Sequence, residues 1–171
     1  TAFLVSFDLL TILREIYVVA VACIIFSIPL YLADRKSKKV RSFEHFGVRD
    51  AFYIGLWQSF AVIPGASRSG CCITGSLLRN FKSKAATHIS LIMSIPTILG
   101  SGMLLLIEII FVPTDYLLSG NLFSLFFCII LSYIAAFLSI KMFFHYVEKI
   151  SFLPFIIYRI FLGFLILAFY F

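Results

Sequence analysis

Charge is what this sequence has least of. Only 13% of its 171 residues are charged and 62% are hydrophobic, where a soluble domain has roughly 25% charged and 45–50% apolar residues. Too few polar groups remain to coat a globule, which excludes a soluble enzyme and a nucleic-acid binder. The same apolar excess excludes a disordered tail. Signals of metal or redox chemistry are thin as well. Cys23, Cys71, Cys72 and Cys128 form no CxxC pair and sit in apolar stretches, so they read as small buried hydrophobes. The acids number only 8, and no two have Glu-x-x-x-Glu spacing. His45 lies in a charged loop, and His88 and His145 lie on apolar runs. No Cys or carboxylate stands three or four residues from His88, so metal binding there has little support.

What remains is a polytopic membrane protein. A helix needs about 20 apolar residues to cross a hydrocarbon core of roughly 30 Å. Tyr17–Ala33, Ala85–Ile107, Leu122–Ile140 and Phe155–Phe171 supply four such runs. Pro96 should kink the second, and Pro154 leads into the fourth. That fourth run carries Arg159 one turn from its start, where the side chain is expected to snorkel toward the headgroups. The chain opens at Thr1 with no initiator Met, and no basic segment or small-residue cleavage site precedes its first apolar run. It reads as one membrane domain, residues 1–171, lacking an N-terminal part.

Between the first two spans, Ala51–Ile63 is apolar but only about 20 Å long as helix, too short to cross. Then come Pro64-Gly65-Ala66-Ser67-Arg68-Ser69-Gly70 and a second short apolar run, Cys71–Leu78. Arg35, Lys36, Lys38, Lys39, Arg41 and Arg49 precede this segment, and Arg79, Lys82 and Lys84 follow it. Two basic flanks put both ends in the cytoplasm. The segment is therefore expected to enter and leave by one face as a re-entrant hairpin, its tip at membrane depth. A single kinked span over 51–78 is the competing arrangement. Residues 108–120, with Glu108 and Asp115 and no Lys or Arg, should face outward, and Lys141 and Lys149 return inside. The expected fold is all-α: four transmembrane helices plus one helix-loop-helix hairpin. Hairpins of this kind belong to inverted-repeat folds, of which this would be the second half.

The hairpin tip is the dense polar patch in this apolar chain. The second half-helix offers unpaired first-turn amides and a partial positive charge, which suit a phosphate. Ser67 and Ser69 add hydroxyls, and Arg68 adds a permanent planar cation. Arg within a bilayer is costly enough to mark function by default. The structural alternatives are that Arg68 pairs with an acid and that the serines only cap a helix. Gln58 could face the same cavity or bond a neighbouring helix. Neither a G-x-S-x-G elbow nor a P-loop is present.

The stretch Ile54-Gly55-Leu56-Trp57-Gln58-Ser59-Phe60-Ala61-Val62-Ile63-Pro64-Gly65-Ala66-Ser67-Arg68-Ser69-Gly70 resembles the second signature, P-G-x-S-R-S-x-x-T, of the undecaprenyl-diphosphate phosphatase (bacitracin-resistance) family. The similarity continues through Lys84-Ala85-Ala86, Ser90 to Pro96, Ile98-Leu99-Gly100, Pro154-Phe155, Tyr158-Arg159 and Gly163. The resemblance implies a multi-pass protein of the bacterial inner membrane. It implies hydrolysis of undecaprenyl diphosphate to the monophosphate, which recycles the lipid carrier of peptidoglycan synthesis and confers bacitracin resistance. Arg68, Ser67 and Ser69 would be the catalytic residues. Gly65, Ala66, Gly70, Cys71, Cys72 and Gln58 would line the substrate, with the amides of residues 69–71 cradling the diphosphate. A divalent metal, Mg or Ca, is implied, with its ligands expected in the missing N-terminal segment. The partners implied are a polyprenyl diphosphate and the bilayer, no nucleic acid, and a homodimer as an open possibility.

Two departures stand out. Cys72 occupies the place of the signature's Thr, and Thr74 falls two residues late. The family's first signature, a Glu-x-x-x-Glu pair followed by a Ser-rich segment and a His, is absent. These residues alone are therefore expected to turn over no substrate. A non-catalytic remnant and an inverted-repeat transporter of lipid or solute are the alternative functions.

Overall fold

The computed structural model describes residues 15–111 and 122–170. Asp115 lies outside them, as do the side chains of Glu108 and Lys149. Most described residues are helical, and the described residues hold one isolated bridge, between Arg41 and Phe81. In lipid every backbone polar group needs an internal partner, and helices provide one within each segment. The helices are α1 (Ile16–Lys36), α2 (Val48–Ser59), α3 (Arg68–Leu78), α4 (Ser83–Phe111), α5 (Leu122–Ile150) and α6 (Leu153–Tyr170). A 3₁₀ turn, Phe60–Val62, extends α2 toward the loop. Helices α1, α4, α5 and α6 are long and apolar enough to cross a membrane. The four expected spans and the short pair between them are all present, and the chain is an all-α, multi-pass membrane protein.

The short pair is a hairpin, not a kinked span. Helices α2 and α3 pack on each other, and the two ends of the segment meet. At the entry, Asp50 accepts from Arg41 Nη1 at 2.8 Å and Nη2 at 2.7 Å. At the exit, Arg79 Nε donates to the same carboxylate at 2.8 Å. Asn80 O accepts from the amides of Val40 and Arg41, and Lys82 N donates to Arg41 O. One face of the molecule thus holds both basic loops. Arg41 holds the Asp50 carboxyl well below the usual carboxylate range; burial opposes this, and Arg79 and the Gly47 amide support it.

Helix α1 presents Ala20, Cys23, Ser27, Leu30 and Asp34 as a buried stripe. Mostly small residues at three- and four-residue spacing let helices approach closely in a membrane. Gly163 of α6 meets that stripe. A Cβ on it would lie 2.8 Å from Ala20 O and 2.7 Å from Ile24 Cγ1. At the basic face Asp34 pairs with Lys39 at 2.6 Å and accepts from Ser151, just before α6. Leu30, Ala33, Ile54, Ile73, Leu77, Phe81, Ala86, Ile89, Phe152 and Ile156 form the core between α1, the hairpin, α4 and α6. Helix α5 contributes Val147, and most of its described length is exposed. Cys128 is therefore exposed, contrary to the expectation of burial, while Cys23, Cys71 and Cys72 are buried and all four are free.

Candidate functional site at the hairpin tip

The tip is built by its own sequence. Ala66 N donates to Ile63 O at 3.1 Å, closing a four-residue turn with Pro64 and Gly65 in the middle. Gly65 has φ +92°. Proline second and a positive-φ glycine third is the residue order of a type II turn. Gly65 is also a close approach: a Cβ there would sit 2.3 Å from Val19 O of α1. Val19 and Ala22 lie eleven or more residues before Ala33 at the basic end. The tip therefore stands roughly 16 Å inside the bundle.

Ser67 starts the second half-helix. Its backbone is at φ +65°, ψ 110°, and its Oγ accepts from Gly70 N at 3.2 Å as an N-cap. Because of that cap α3 begins at Arg68, not near Cys71, and Arg68 is a first-turn residue rather than a loop residue. Ser67 Oγ and Ser69 Oγ are 3.3 Å apart. Arg68 and Ser69 are exposed. Among the described residues no carboxylate pairs with Arg68. The capping alternative for Ser67 holds.

The structure changes the expected cradle. Gly70 N is taken by Ser67 Oγ, and Cys71 N donates to Ser67 O at 3.0 Å. Of residues 69–71 only the Ser69 amide is left outside the cap, joined by that of Arg68. Gly70 is buried, and Ala66, Cys71 and Cys72 are buried at 0%, 2% and 1% exposure. Their side chains pack beneath the tip rather than line it. Cys72 Sγ points to Gln58 Oε1 at 3.3 Å, and Gln58 Nε2 donates to Thr97 Oγ1 at 2.9 Å and Met93 O at 3.4 Å. Gln58 thus bonds α3 and α4 and also borders an open groove with Gly55, Met93 and Thr97. Thr74 is buried and bonds back to Gly70 O at 2.8 Å.

Arg159 corrects the sequence reading most. It does not snorkel; it is 4% exposed. Its Nη2 donates to Gly65 O at 2.7 Å and Ala66 O at 3.0 Å, on the buried side of the tip. The broken helix frees these carbonyls, and they solvate the cation where headgroups cannot reach. No local sequence signal announces this contact, because Arg159 and Gly65 are 94 positions apart.

An apolar groove of about 370 Å³ runs from the tip along α1, lined by Tyr17, Val18, Val21, Ala22, Ile25, Phe26 and Ile63. A larger cavity of about 590 Å³ lies away from the tip at the basic face, between Phe43, Lys82, Lys84, His88 and Phe144. There Phe43 packs on the His88 ring at 4.5 Å. Among the described residues no three His, Cys, Asp or Glu side chains gather to hold a metal. The described residues therefore do not fit the divalent ion that the resemblance implies.

Comparison with known proteins gives one consistent result. Residues 2–165 match the family described as bacitracin resistance protein BacA. The undecaprenyl-diphosphatase of Maricaulis maris is 38% identical over 168 residues, covering 98% of this chain and 62% of that protein. The undecaprenyl-diphosphatase of Alteromonas mediterranea is 37% identical over 162 residues, covering 92% and 58%. The chain spans about three-fifths of the length of the curated relatives it matches. With a helix break inside the bundle and a family match over nearly its whole length, this chain belongs to the BacA family of bacitracin resistance proteins.

Proposed function

We propose that the protein carrying these residues hydrolyses undecaprenyl diphosphate to undecaprenyl phosphate in the bacterial inner membrane. This would recycle the lipid carrier of peptidoglycan synthesis and confer bacitracin resistance. The carrying observation is Arg68, an exposed cation with no counter-ion among the described residues, on the first turn of a capped helix within the bundle. Diphosphate is the ligand that such a position suits. Arg68 would bind two phosphate oxygens through its fork. The Ser67 and Ser69 hydroxyls and the first-turn amides would orient the rest. Charge that builds on the transferred phosphoryl group would meet fixed donors rather than mobile water. The groove along α1 offers the isoprenoid tail an apolar bed that starts at Ile63.

The names of the relatives support this reading. These residues bind and orient; the divalent ion has no ligand set among them and enters none of the steps above. The chain by itself is expected to bind phosphate without releasing it. The test is phosphate release from undecaprenyl diphosphate by the complete protein. Arg68→Ala should cost at least 100-fold with normal membrane insertion. Full activity in that variant would end the proposal, and lipid flux without phosphate release would favour a transporter.

A further inference from the structure

Beneath the tip lies a cation that the phosphate reading has not used. Arg159 Nη1 is buried and has no hydrogen-bond partner. Among the described residues no carboxylate pairs with this guanidinium; its hydrogen bonds go to two carbonyls, and the Phe155 ring lies 5.9 Å away. A lone charge in such a place is costly, so something must compensate it.

The geometry points to Arg159 as a positioning residue for the phosphate site, one that turns the loop's donors outward and sets a second positive charge under the anion. This rests on the phosphate reading above. In a trans peptide the C=O and N–H point opposite ways. With Ala66 O drawn onto Nη2, the Ser67 N–H faces away from Arg159, toward the side where Ser69 and Arg68 are exposed. The same two bonds brace Gly65 and Ser67, both at positive φ. For Ser67 that conformation is uncommon and needs support from its surroundings. Gly70 gives the guanidinium its room. A Cβ there would lie 2.9 Å from Nη1 and 3.3 Å from Ser67 Oγ. Cation and cap hydroxyl are thus within about 6 Å, a range over which charge acts strongly in a poorly hydrated site. A bound diphosphate would supply the missing counter-charge.

The test uses the full chain in detergent micelles, with inorganic pyrophosphate and farnesyl diphosphate as probes in titration calorimetry. Arg159→Gln keeps an N–H donor and removes the charge; Arg159→Lys keeps the charge and removes the fork. Arg35→Gln, at the exposed basic end, is the control. Affinity for both probes should fall at least 30-fold in Arg159→Gln, three- to tenfold in Arg159→Lys and not at all in the control. A purely structural role would lower the unfolding midpoint and leave the affinity of the folded chain unchanged. Wild-type affinity in both folded Arg159 variants overturns the inference alone. Absence of binding by the wild-type chain overturns the phosphate reading and this inference with it. Should Arg159→Gln not fold, ¹⁵N-arginine NMR of the wild type decides. The Arg159 Nε resonance, identified by its loss in Arg159→Lys, must shift on adding pyrophosphate, and a stationary resonance refutes the inference.

Discussion

Gly65→Ala tests whether the tip is wedged against α1 as described. Alanine at φ +92° costs about 1–2 kcal/mol from the left-handed backbone alone. Its Cβ would also fall 2.3 Å from Val19 O and 3.1 Å from Ala22 Cβ. The first of these is backbone and has no rotamer to escape into, so the hairpin and α1 must part. Overpacking of this sort costs about 1–3 kcal/mol. Together the two effects should destabilise the chain by about 2–5 kcal/mol. The probe is built in, because Trp57 is the single tryptophan and its side chain packs against Gly75 within the hairpin. Its fluorescence should follow loss of the hairpin during SDS titration of the chain in micelles. The control is Gly100→Ala, where nothing lies within 4 Å of the new Cβ. That change should be neutral or stabilise by up to about 1 kcal/mol, since alanine suits a helix interior better. If Gly65→Ala unfolds alongside Gly100→Ala, the tip does not contact α1 and the depth assigned to the site is wrong.

Other consequences are as direct. Ser67→Ala removes the cap of α3 and should cost about 1 kcal/mol, read as a lower SDS midpoint. Because the folded pKa of Asp50 is depressed, its contribution is present above the unfolded carboxylate value of about 3.9 and is lost as pH falls through the folded one. Asp50→Asn should therefore destabilise the chain by about 2 kcal/mol at pH 7, and its gap from wild type should shrink below about pH 4. A gap that persists unchanged to pH 2 would contradict the Arg41–Asp50–Arg79 tie. Reporter fusions after Lys36 and after Arg79 should both report the cytoplasm; opposite sides would exclude the hairpin.

The spans could be read from composition because lipid imposes one rule, a long apolar helix, and the chain obeys it at four places, with Arg159 the one charge inside the fourth run. The hairpin was legible for a different reason. Its two basic flanks cannot lie on opposite faces without breaking the charge asymmetry of the loops, and the structure joins them through Asp50. Pro64, Gly65 and Ser67 also announced their roles, since turn and cap chemistry is local. Arg159 was not legible in this way. It lies more than ninety positions from the loop, and only tertiary packing at Gly163 brings α6 close enough for its side chain to reach. The burial of Cys71 and Cys72 was foreseen, but their place among the substrate contacts was not supported, because helical periodicity turns those side chains into the core once Ser67 fixes the start of α3. Helix α5 carries little sequence signal beyond hydrophobicity, and correspondingly little packs on it.

On this reading the polar tip, and not the larger cavity at the basic face, receives a prenyl diphosphate. A photoactivatable farnesyl diphosphate carrying its reactive group near the phosphates, irradiated with the chain and mapped by mass spectrometry, addresses it directly. Labels should fall within residues 63–70 and disappear with excess pyrophosphate. Pyrophosphate-sensitive labels confined to Phe43, Lys82, Lys84 and His88, with residues 63–70 untouched, would contradict it.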